Sequence, residues 1–257
     1  MSGKFSGKLF GFSLGVAALS AACGLVPNVS GDSMSNADKA VLYMQMGSRY
    51  MDMDMLDVAK EKLESAVRLD SGNADIRNAM GVFYERIKDY DAAASNYESA
   101  VGKAPNNFNI KTNYGRFLCD RGDYQKGLEV LRQALELPMN NRQWFALTNI
   151  GICYVKQNDL RQGEDYLRQA LQLQADFPPA LLEMLKVSYR DRQFMSARAF
   201  LERYLGVAKH TPETLWYAFQ TERALGNGNL AEAYGEQLLS TFPSSKEAQD
   251  IKTALGK

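Results

Sequence analysis

Residues 112–134 read TNYGRFLCDRGDYQKGLEVLRQA, and residues 148–170 read TNIGICYVKQNDLRQGEDYLRQA. Each stretch places a glycine within one apolar segment, a second glycine twelve residues later and an alanine seven residues after that. Two antiparallel helices can approach closely only where one of them carries a small residue. A bulky side chain of the other helix then fills the space beside that residue. The two stretches therefore predict repeated helix-turn-helix hairpins and an all-α fold.

The same spacing recurs along most of the chain with a period of about 34 residues, which is typical of the tetratricopeptide repeat. The small residues of the first four repeats are Gly47, Ala59 and Ala66; Gly81, Ala93 and Ala100; Gly115, Gly127 and Ala134; and Gly151, Gly163 and Ala170. Between the two helices of a repeat lie short turns such as residues 88–90 (Lys-Asp-Tyr), in which the aspartate can cap the second helix.

Two further repeats are predicted after Pro178, where the spacing is less regular. In the fifth repeat Leu185 replaces the glycine. In the sixth we place Ala218 at the glycine position, with a turn lengthened by residues 226–229 and a second helix that resumes at Ala233. The sequence thus predicts a tetratricopeptide-repeat superhelix of about six repeats over residues 39–245. A capping helix over residues 246–257 would cover the apolar face of the last repeat.

The residues before the repeats have the features of an export segment. Two lysines precede an apolar or small run over residues 9–19, which is too short to span a bilayer and is typical of a signal peptide over residues 1–22. The small residues directly before Cys23 resemble the lipobox of bacterial lipoproteins, which implies cleavage before Cys23 and acylation of its thiol. Residues 23–38 are predicted to form a flexible tether. An ordinary secreted protein is the alternative.

Composition and charge argue against several classes of function. Basic and acidic residues number 30 each and the pI is about 6.6, so no net field attracts the chain to nucleic acid. The single histidine, His210, has no pair of neighbouring Cys, Asp or Glu residues at metal-ligand spacing, and no nucleophile and base can be assembled around it. We therefore expect a non-enzyme without a metal, a small-molecule substrate or any cofactor beyond a covalent lipid on Cys23.

Cys119 and Cys153 occupy near-equivalent positions in the first helices of adjacent repeats. An oxidising periplasm can join such a pair. The two cysteines are nevertheless two positions out of register, and neighbouring helices pack about 8–10 Å apart, farther than the usual Cα separation of a disulfide. We therefore expect two buried thiols, with a disulfide as the alternative.

Two sets of residues on the first helices are candidates for partner binding, because in such arrays these helices line the concave surface. The first set shares one face of the first helix at three-and-four spacing, and consists of Val41, Met44, Ser48 and Met51. Methionine adapts to an amphipathic partner helix, although the tether or a terminal extension is an alternative cover. The second set is Asn113 and Asn149, whose amides can hydrogen-bond a peptide backbone or only bond locally.

Three segments carry a resemblance to one family: residues 112–127 (TNYGRFLCDRGDYQKG), 145–153 (FALTNIGIC) and 180–204 (ALLEMLKVSYRDRQFMSARAFLERY). They resemble the type IV pilus biogenesis and stability lipoproteins, which are pilotins for the secretin. The resemblance implies a lipid-anchored protein on the periplasmic face of the outer membrane, which binds secretin subunits and helps them to localise and multimerise. Gly24 fits this, since aspartate after the lipidated cysteine implies inner-membrane retention. The alternative is another tetratricopeptide lipoprotein scaffold, such as a barrel-protein assembly factor or a peptidoglycan-hydrolase adaptor.

Overall fold

The computed structural model describes residues 34–138 and 141–255, and within these ranges all regular secondary structure is helical. The helices are α1 (Asn36–Asp52), α2 (Leu56–Leu69), α3 (Ala74–Arg86), α4 (Tyr90–Lys103), α5 (Phe108–Asp120), α6 (Tyr124–Leu135), α7 (Gln143–Lys156), α8 (Leu160–Leu173), α9 (Pro178–Arg190), α10 (Phe194–Leu205), α11 (Pro212–Ala224), α12 (Gly228–Thr241) and α13 (Lys246–Leu255). None of these helices is long and apolar enough to cross a membrane. The predicted signal peptide, Cys23 and most of the predicted tether lie outside the described residues.

The helices pair in chain order into six hairpins, and α13 packs on both α11 and α12. The first helix of each hairpin also packs on the first helix of the next. The backbones of neighbouring second helices lie farther apart, although Lys126 of α6 donates to Glu98 of α4 at 2.9 Å. The stack therefore curves with the first helices on its inner side. This arrangement confirms the predicted tetratricopeptide-repeat superhelix of about six repeats with a C-terminal capping helix.

The helix α1 begins at Asn36, within the range given to the tether. Ser35 caps it by accepting a hydrogen bond from the backbone N–H of Asp38 at 3.1 Å. The last three residues of the range 23–38 are therefore helical rather than extended.

All six hairpin turns have the same backbone form. The residue seven positions after the glycine position has a positive φ in every repeat, and these residues are Asp54, Lys88, Gly122, Asn158, Arg192 and Gly226. The N–H of the following residue then donates to a carbonyl five residues back, as from Asp123 to Leu118 at 2.9 Å. This is the Schellman arrangement, which ends the first helix of each repeat with its carbonyls satisfied.

The glycines of the first four repeats lie where the two helices of a hairpin cross. A Cβ added to Gly115 would lie 2.6 Å from Cγ of Leu131 and 3.0 Å from the carbonyl oxygen of Gly127. Gly151 has the same relation to Leu167, at 2.8 Å. Each glycine thus leaves the space that a bulky side chain of the second helix occupies.

The sixth repeat reverses this arrangement. Phe219, rather than Ala218, occupies the glycine position, because Gly226 with its positive φ lies seven residues after it, as in the other repeats. The small residue is Gly235 on α12, whose added Cβ would lie 3.4 Å from the Phe219 ring. The placement of Ala218 at the crossing and the lengthened turn are therefore wrong. The second helix packs through buried Ala231, while Ala233 is exposed.

Cys119 and Cys153 form a disulfide, so the expectation of two free thiols is wrong. Their Cα atoms are 5.4 Å apart. The spacing of helix axes overestimates the separation of Cα atoms that lie on facing sides. A spacing of about 8–10 Å separates helix axes, and each Cα lies about 2.3 Å from its own axis, so Cα atoms on facing sides come within about 5 Å. The bond ties α5 to α7 and hence the third repeat to the fourth.

Candidate partner-binding groove

A single stripe of side chains on each first helix faces the inner side of the stack. On α5 the residues around it are buried, whereas Asn109, Asn113, Arg116 and Asp120, at spacings of four, three and four, are not. The equivalent positions, called the groove stripe here, are Val41, Gln45, Ser48 and Asp52 on α1; Asp75, Ala79, Val82 and Arg86 on α3; Phe145, Asn149, Ile152 and Lys156 on α7; Pro179, Glu183, Lys186 and Arg190 on α9; and Glu213, Tyr217, Gln220 and Ala224 on α11.

The structure places only two of the four residues in the first predicted binding set on the groove stripe. Val41 is exposed and Ser48 half-buried, and both belong to the groove stripe. Met51 is only 8% exposed and packs in a core cluster with Met80 and Phe83 of α3, and half-buried Met44 packs against the same cluster. The placement of Met44 and Met51 on the groove surface is therefore wrong. They lie on the neighbouring face of α1, which packs against the second repeat.

The exposed apolar side chains of the first repeat lie elsewhere. Leu42 on α1 and Met53 and Met55 in the following turn are exposed, and Met53 is 63% exposed. Leu42 was not among the predicted binding residues. Its exposure follows from the position of α1 as the first described helix of the array, since the structure describes no preceding hairpin that would pack on it.

The two predicted asparagines differ in their hydrogen-bond partners. Asn113 is half-buried and its side-chain N–H donates to the Oδ1 of Asn78 on α3 at 3.1 Å. Asn149 is 8% exposed and donates within its own helix to the carbonyl of Phe145 at 3.0 Å. The side-chain N–H of Asn149 therefore bonds locally, as the alternative interpretation predicted. A role for Asn113 in gripping a peptide stays a prediction.

A network of charged side chains crosses the middle of the groove. Arg116 donates to both oxygens of Glu85 at 2.7 Å and to Asp120 at 2.7 Å, and Asp120 also accepts from Lys156 at 2.5 Å. Burial lowers the pKa of Arg116, but the hydrogen bonds and charge of Glu85 outweigh it, so the net pKa is raised. Tyr97 donates to the same glutamate at 2.9 Å, and burial raises its pKa. The network joins α3, α5 and α7.

The charged side chains near the C-terminal end of the groove are likewise paired. Lys186 donates to Glu183 at 2.7 Å and to Glu213 of the next repeat at 3.0 Å. Burial lowers the pKa of Lys186, but the two carboxylates raise it overall. Arg190 donates to the side chain of Asn158 at 3.0 Å. These cations stabilise contacts between repeats and are not arranged as an open clamp for a carboxylate.

No group of three or more His, Cys, Asp or Glu side chains in residues 34–138 and 141–255 is placed to hold a metal. His210 is half-buried, with its Nδ1 3.3 Å from the Thr214 hydroxyl and its ring against Tyr234. Burial lowers the pKa of His210. His210, in the turn before α11, is therefore partly enclosed.

Comparison with known proteins places this architecture among relatives. Models of the tetratricopeptide repeat match residues 44–108, 86–149 and 146–177. The chain is 23% identical over 210 residues to the type IV pilus assembly protein PilF of Pseudomonas aeruginosa, which covers 82% of this chain and 83% of that protein. An uncharacterized protein of Haemophilus influenzae is 23% identical over 124 residues, covering 48% of this chain and 69% of that protein.

Two solved structures match this chain over nearly their whole length. The crystal structure of PilW, a widely conserved type IV pilus biogenesis factor, is 28% identical with a TM-score of 0.72, and the match covers 82% of this chain and 97% of PilW. The structure of Pseudomonas aeruginosa PilF is 22% identical with a TM-score of 0.69, covering 85% of this chain and 99% of that structure.

Proposed function

The chain belongs to the family of tetratricopeptide-repeat type IV pilus biogenesis proteins, and we propose that it acts in this process as a pilotin. In this proposal it is held on the periplasmic face of the outer membrane and helps secretin subunits to localise and multimerise. The observation that carries the proposal is the match over 82% of this chain and 97% of a known pilus biogenesis factor. A binding role rather than a catalytic one is supported by the groove, whose central charges bond to one another.

The proposal is tested by deleting the gene and measuring secretin multimers in outer-membrane fractions. We expect the multimers to be lost while other outer-membrane barrel proteins stay at normal levels. Unchanged multimers would overturn the pilotin proposal. A general loss of barrel proteins would instead support the barrel-assembly alternative, and altered peptidoglycan hydrolysis with normal multimers would support the hydrolase-adaptor alternative.

The anchor in this proposal is a lipid on Cys23, supported by the resemblance of the preceding residues to a lipobox. Cys23→Ser is expected to release a folded protein into the periplasm, because the residue lies before the first hairpin and acyl chains supply the membrane affinity. Membrane fractionation, circular dichroism and the mass of the mature N-terminus test this. A wild-type protein without the added lipid mass, or a variant still held in the outer membrane, would contradict the assignment.

We place the secretin contact at the open end of the first repeat. Leu42, Met53 and Met55 are exposed there together with Val41 of the groove stripe. Exposed apolar side chains at the end of an array often mark a partner surface, and methionine accepts an amphipathic helix without fixed geometry.

The test exchanges exposed side chains only. Leu42→Lys with Met53→Lys is expected to weaken capture of secretin while leaving helicity unchanged. Met195→Lys, at a methionine that is 64% exposed on α10, is the matched control and should bind normally. Equal capture by all three proteins would move the contact elsewhere, with the groove around Asn113 as the next candidate. Stronger capture by the double variant would indicate that another segment of this chain covers the surface.

A further inference from the structure

The groove holds a cavity of about 520 Å³ where α3, α5 and α7 end. Five cations line it, namely Arg86, Lys88, Arg116, Arg121 and Lys156. Two carboxylates, Glu85 and Asp120, lie among them, and Arg86 pairs with Asp54 outside the lining at 3.1 Å, which leaves a formal excess of two positive charges in a chain whose net charge is zero. The positive charge of this cavity is therefore local and is not a property of the whole surface.

The excess is not accounted for by the helix dipoles. Each of the three helices places about half a unit of negative charge at its C-terminal end, and basic side chains there are stabilising. Three such ends, about 1.5 units of negative charge together, offset only part of two full charges. The cavity, called the basic pocket here, thus keeps a positive field.

Two of its cations are free to meet a ligand. Lys88 and Arg121 are exposed, and neither has a carboxylate partner among residues 34–138 and 141–255. Arg121 lies over the ring of Tyr90, with its guanidinium carbon 3.7 Å from the ring centroid. This stacking fixes the plane of the guanidinium while its N–H groups remain at the edge, where a carboxylate can accept two hydrogen bonds.

The remaining three cations already have carboxylate partners, and Arg86 pairs with Asp54 at 3.1 Å. Arg116 and Lys156 belong to the network with Glu85 and Asp120, so they add positive field without moving to a new partner. Val82 and Tyr90 supply an apolar part of the wall. The basic pocket therefore offers two available cations beside an apolar surface.

We infer that the basic pocket binds an acidic peptide segment of a partner protein, with carboxylates on either side of an apolar side chain. The carboxylates would meet Lys88 and Arg121, and the apolar side chain would lie on Val82 and Tyr90. A peptide is favoured over a membrane surface because Val82, Arg116 and Lys156 of the lining belong to the groove stripe, and a flexible segment can follow a groove that a flat bilayer only covers. The groove also continues from the pocket to Asn113, whose amide keeps capacity to bond an extended backbone.

This inference deepens the proposed function, since it assigns a chemistry to one segment of a protein partner. Its test is independent of pilus assembly. A fluorescein-labelled peptide of about ten residues, in which glutamates alternate with valine and alanine, is titrated with the purified chain, and fluorescence anisotropy is measured. The matched probe replaces every glutamate by glutamine. We expect the acidic probe to bind, the glutamine probe to bind at least tenfold more weakly, and the affinity to fall as salt is added.

The variant Lys88→Gln with Arg121→Gln tests the two available cations. Both side chains are exposed, so the fold should be kept, and circular dichroism and the thermal midpoint check this. We expect affinity for the acidic probe to fall roughly tenfold. The control is Lys103→Gln with Lys252→Gln, which changes the net charge equally at exposed positions in the last turns of α4 and α13.

Equal affinities of the two double variants, or equal binding of the two probes, would overturn the inference. Vesicles containing phosphatidylglycerol separate the other source of negative charge. Binding to these vesicles that depends on Lys88 and Arg121, without binding of the peptide, would assign the pocket to a lipid surface and overturn the peptide inference. Loss of secretin multimers is scored separately, so a failed peptide test leaves the proposed function standing, and intact multimers leave the pocket to another acidic partner.

Discussion

The Cys119–Cys153 disulfide is the single bond with the largest expected effect on stability. It closes a loop with a sequence separation of 34 residues. In the chain-entropy account such a loop restricts the unfolded chain and stabilises the fold by about 3–4 kcal/mol. We expect Cys119→Ala with Cys153→Ala to lower the free energy of unfolding by about this amount in urea titrations.

Reduction provides the control for this prediction. Dithiothreitol should destabilise the wild type and leave the double variant unchanged. A double variant as stable as the oxidised wild type would mean that the bond contributes nothing to folding, and that α5 and α7 are held together by packing alone.

His210 is the residue whose titration we expect to affect stability between pH 7.5 and 5.5. Burial lowers its pKa in the folded state, so the unfolded chain binds more protons across this range. The stabilising contribution is therefore present above the unfolded pKa of about 6.5 and is lost as the pH falls. We expect the thermal midpoint of the wild type to drop over this range and that of His210→Gln to stay level. The same drop in both proteins would show that another group is responsible.

At the scale of the helical hairpin, two glycines with opposite surroundings give a matched comparison. Gly115 lies at a crossing where an added Cβ meets Leu131 and the Gly127 carbonyl, whereas Gly102 in the last turn of α4 has nothing within 4 Å of that position. Gly115→Ala is expected to destabilise by about 1–3 kcal/mol through overpacking. Gly102→Ala is expected to stabilise by up to about 1 kcal/mol, because alanine is the better helix former.

Chemical denaturation of the two variants measures both changes. If Gly115→Ala were as stable as the wild type, the hairpins could separate without cost, and the close approach of α5 and α6 would not limit the sequence at that position. The changes in the free energy of unfolding should have opposite signs in the two variants. An effect of glycine replacement on the unfolded chain alone would shift both in the same direction.

The hairpins were predictable from sequence because size complementarity at a crossing recurs at fixed local spacing. Spacing does not say which helix carries the small residue, and this is why the exchange of Phe219 with Gly235 was missed. Groove residues were harder to predict. Positions 41 and 48 belong to the groove stripe, but the choice between 44 and 45 depends on where the next repeat packs, and helical periodicity allows both. That contact is tertiary and leaves no mark in the local pattern.

At the scale of the whole molecule, the centre of the array adds a covalent link to ion pairs of the kind that also join repeats elsewhere, such as Lys186 with Glu213. The disulfide joins α5 to α7, and the network of Glu85, Arg116, Asp120 and Lys156 joins α3, α5 and α7. In a solenoid each repeat contacts only its neighbours, so local opening is governed by local contacts. The central repeats should therefore exchange their amide hydrogens most slowly, and the terminal hairpins should open independently.

The C-terminal end allows this expectation to be tested with one side chain. Ile251 of α13 is fully buried with Leu215 and Phe219 of α11, so Ile251→Ala leaves a cavity that typically costs about 2–5 kcal/mol. In a quasi-one-dimensional array this cost falls on the last hairpin. Hydrogen exchange followed by mass spectrometry is expected to show faster exchange in α11, α12 and α13 and no change in α5 to α8. Faster exchange throughout the array would show that the six hairpins open as one cooperative unit, and that the central contacts do not isolate the ends.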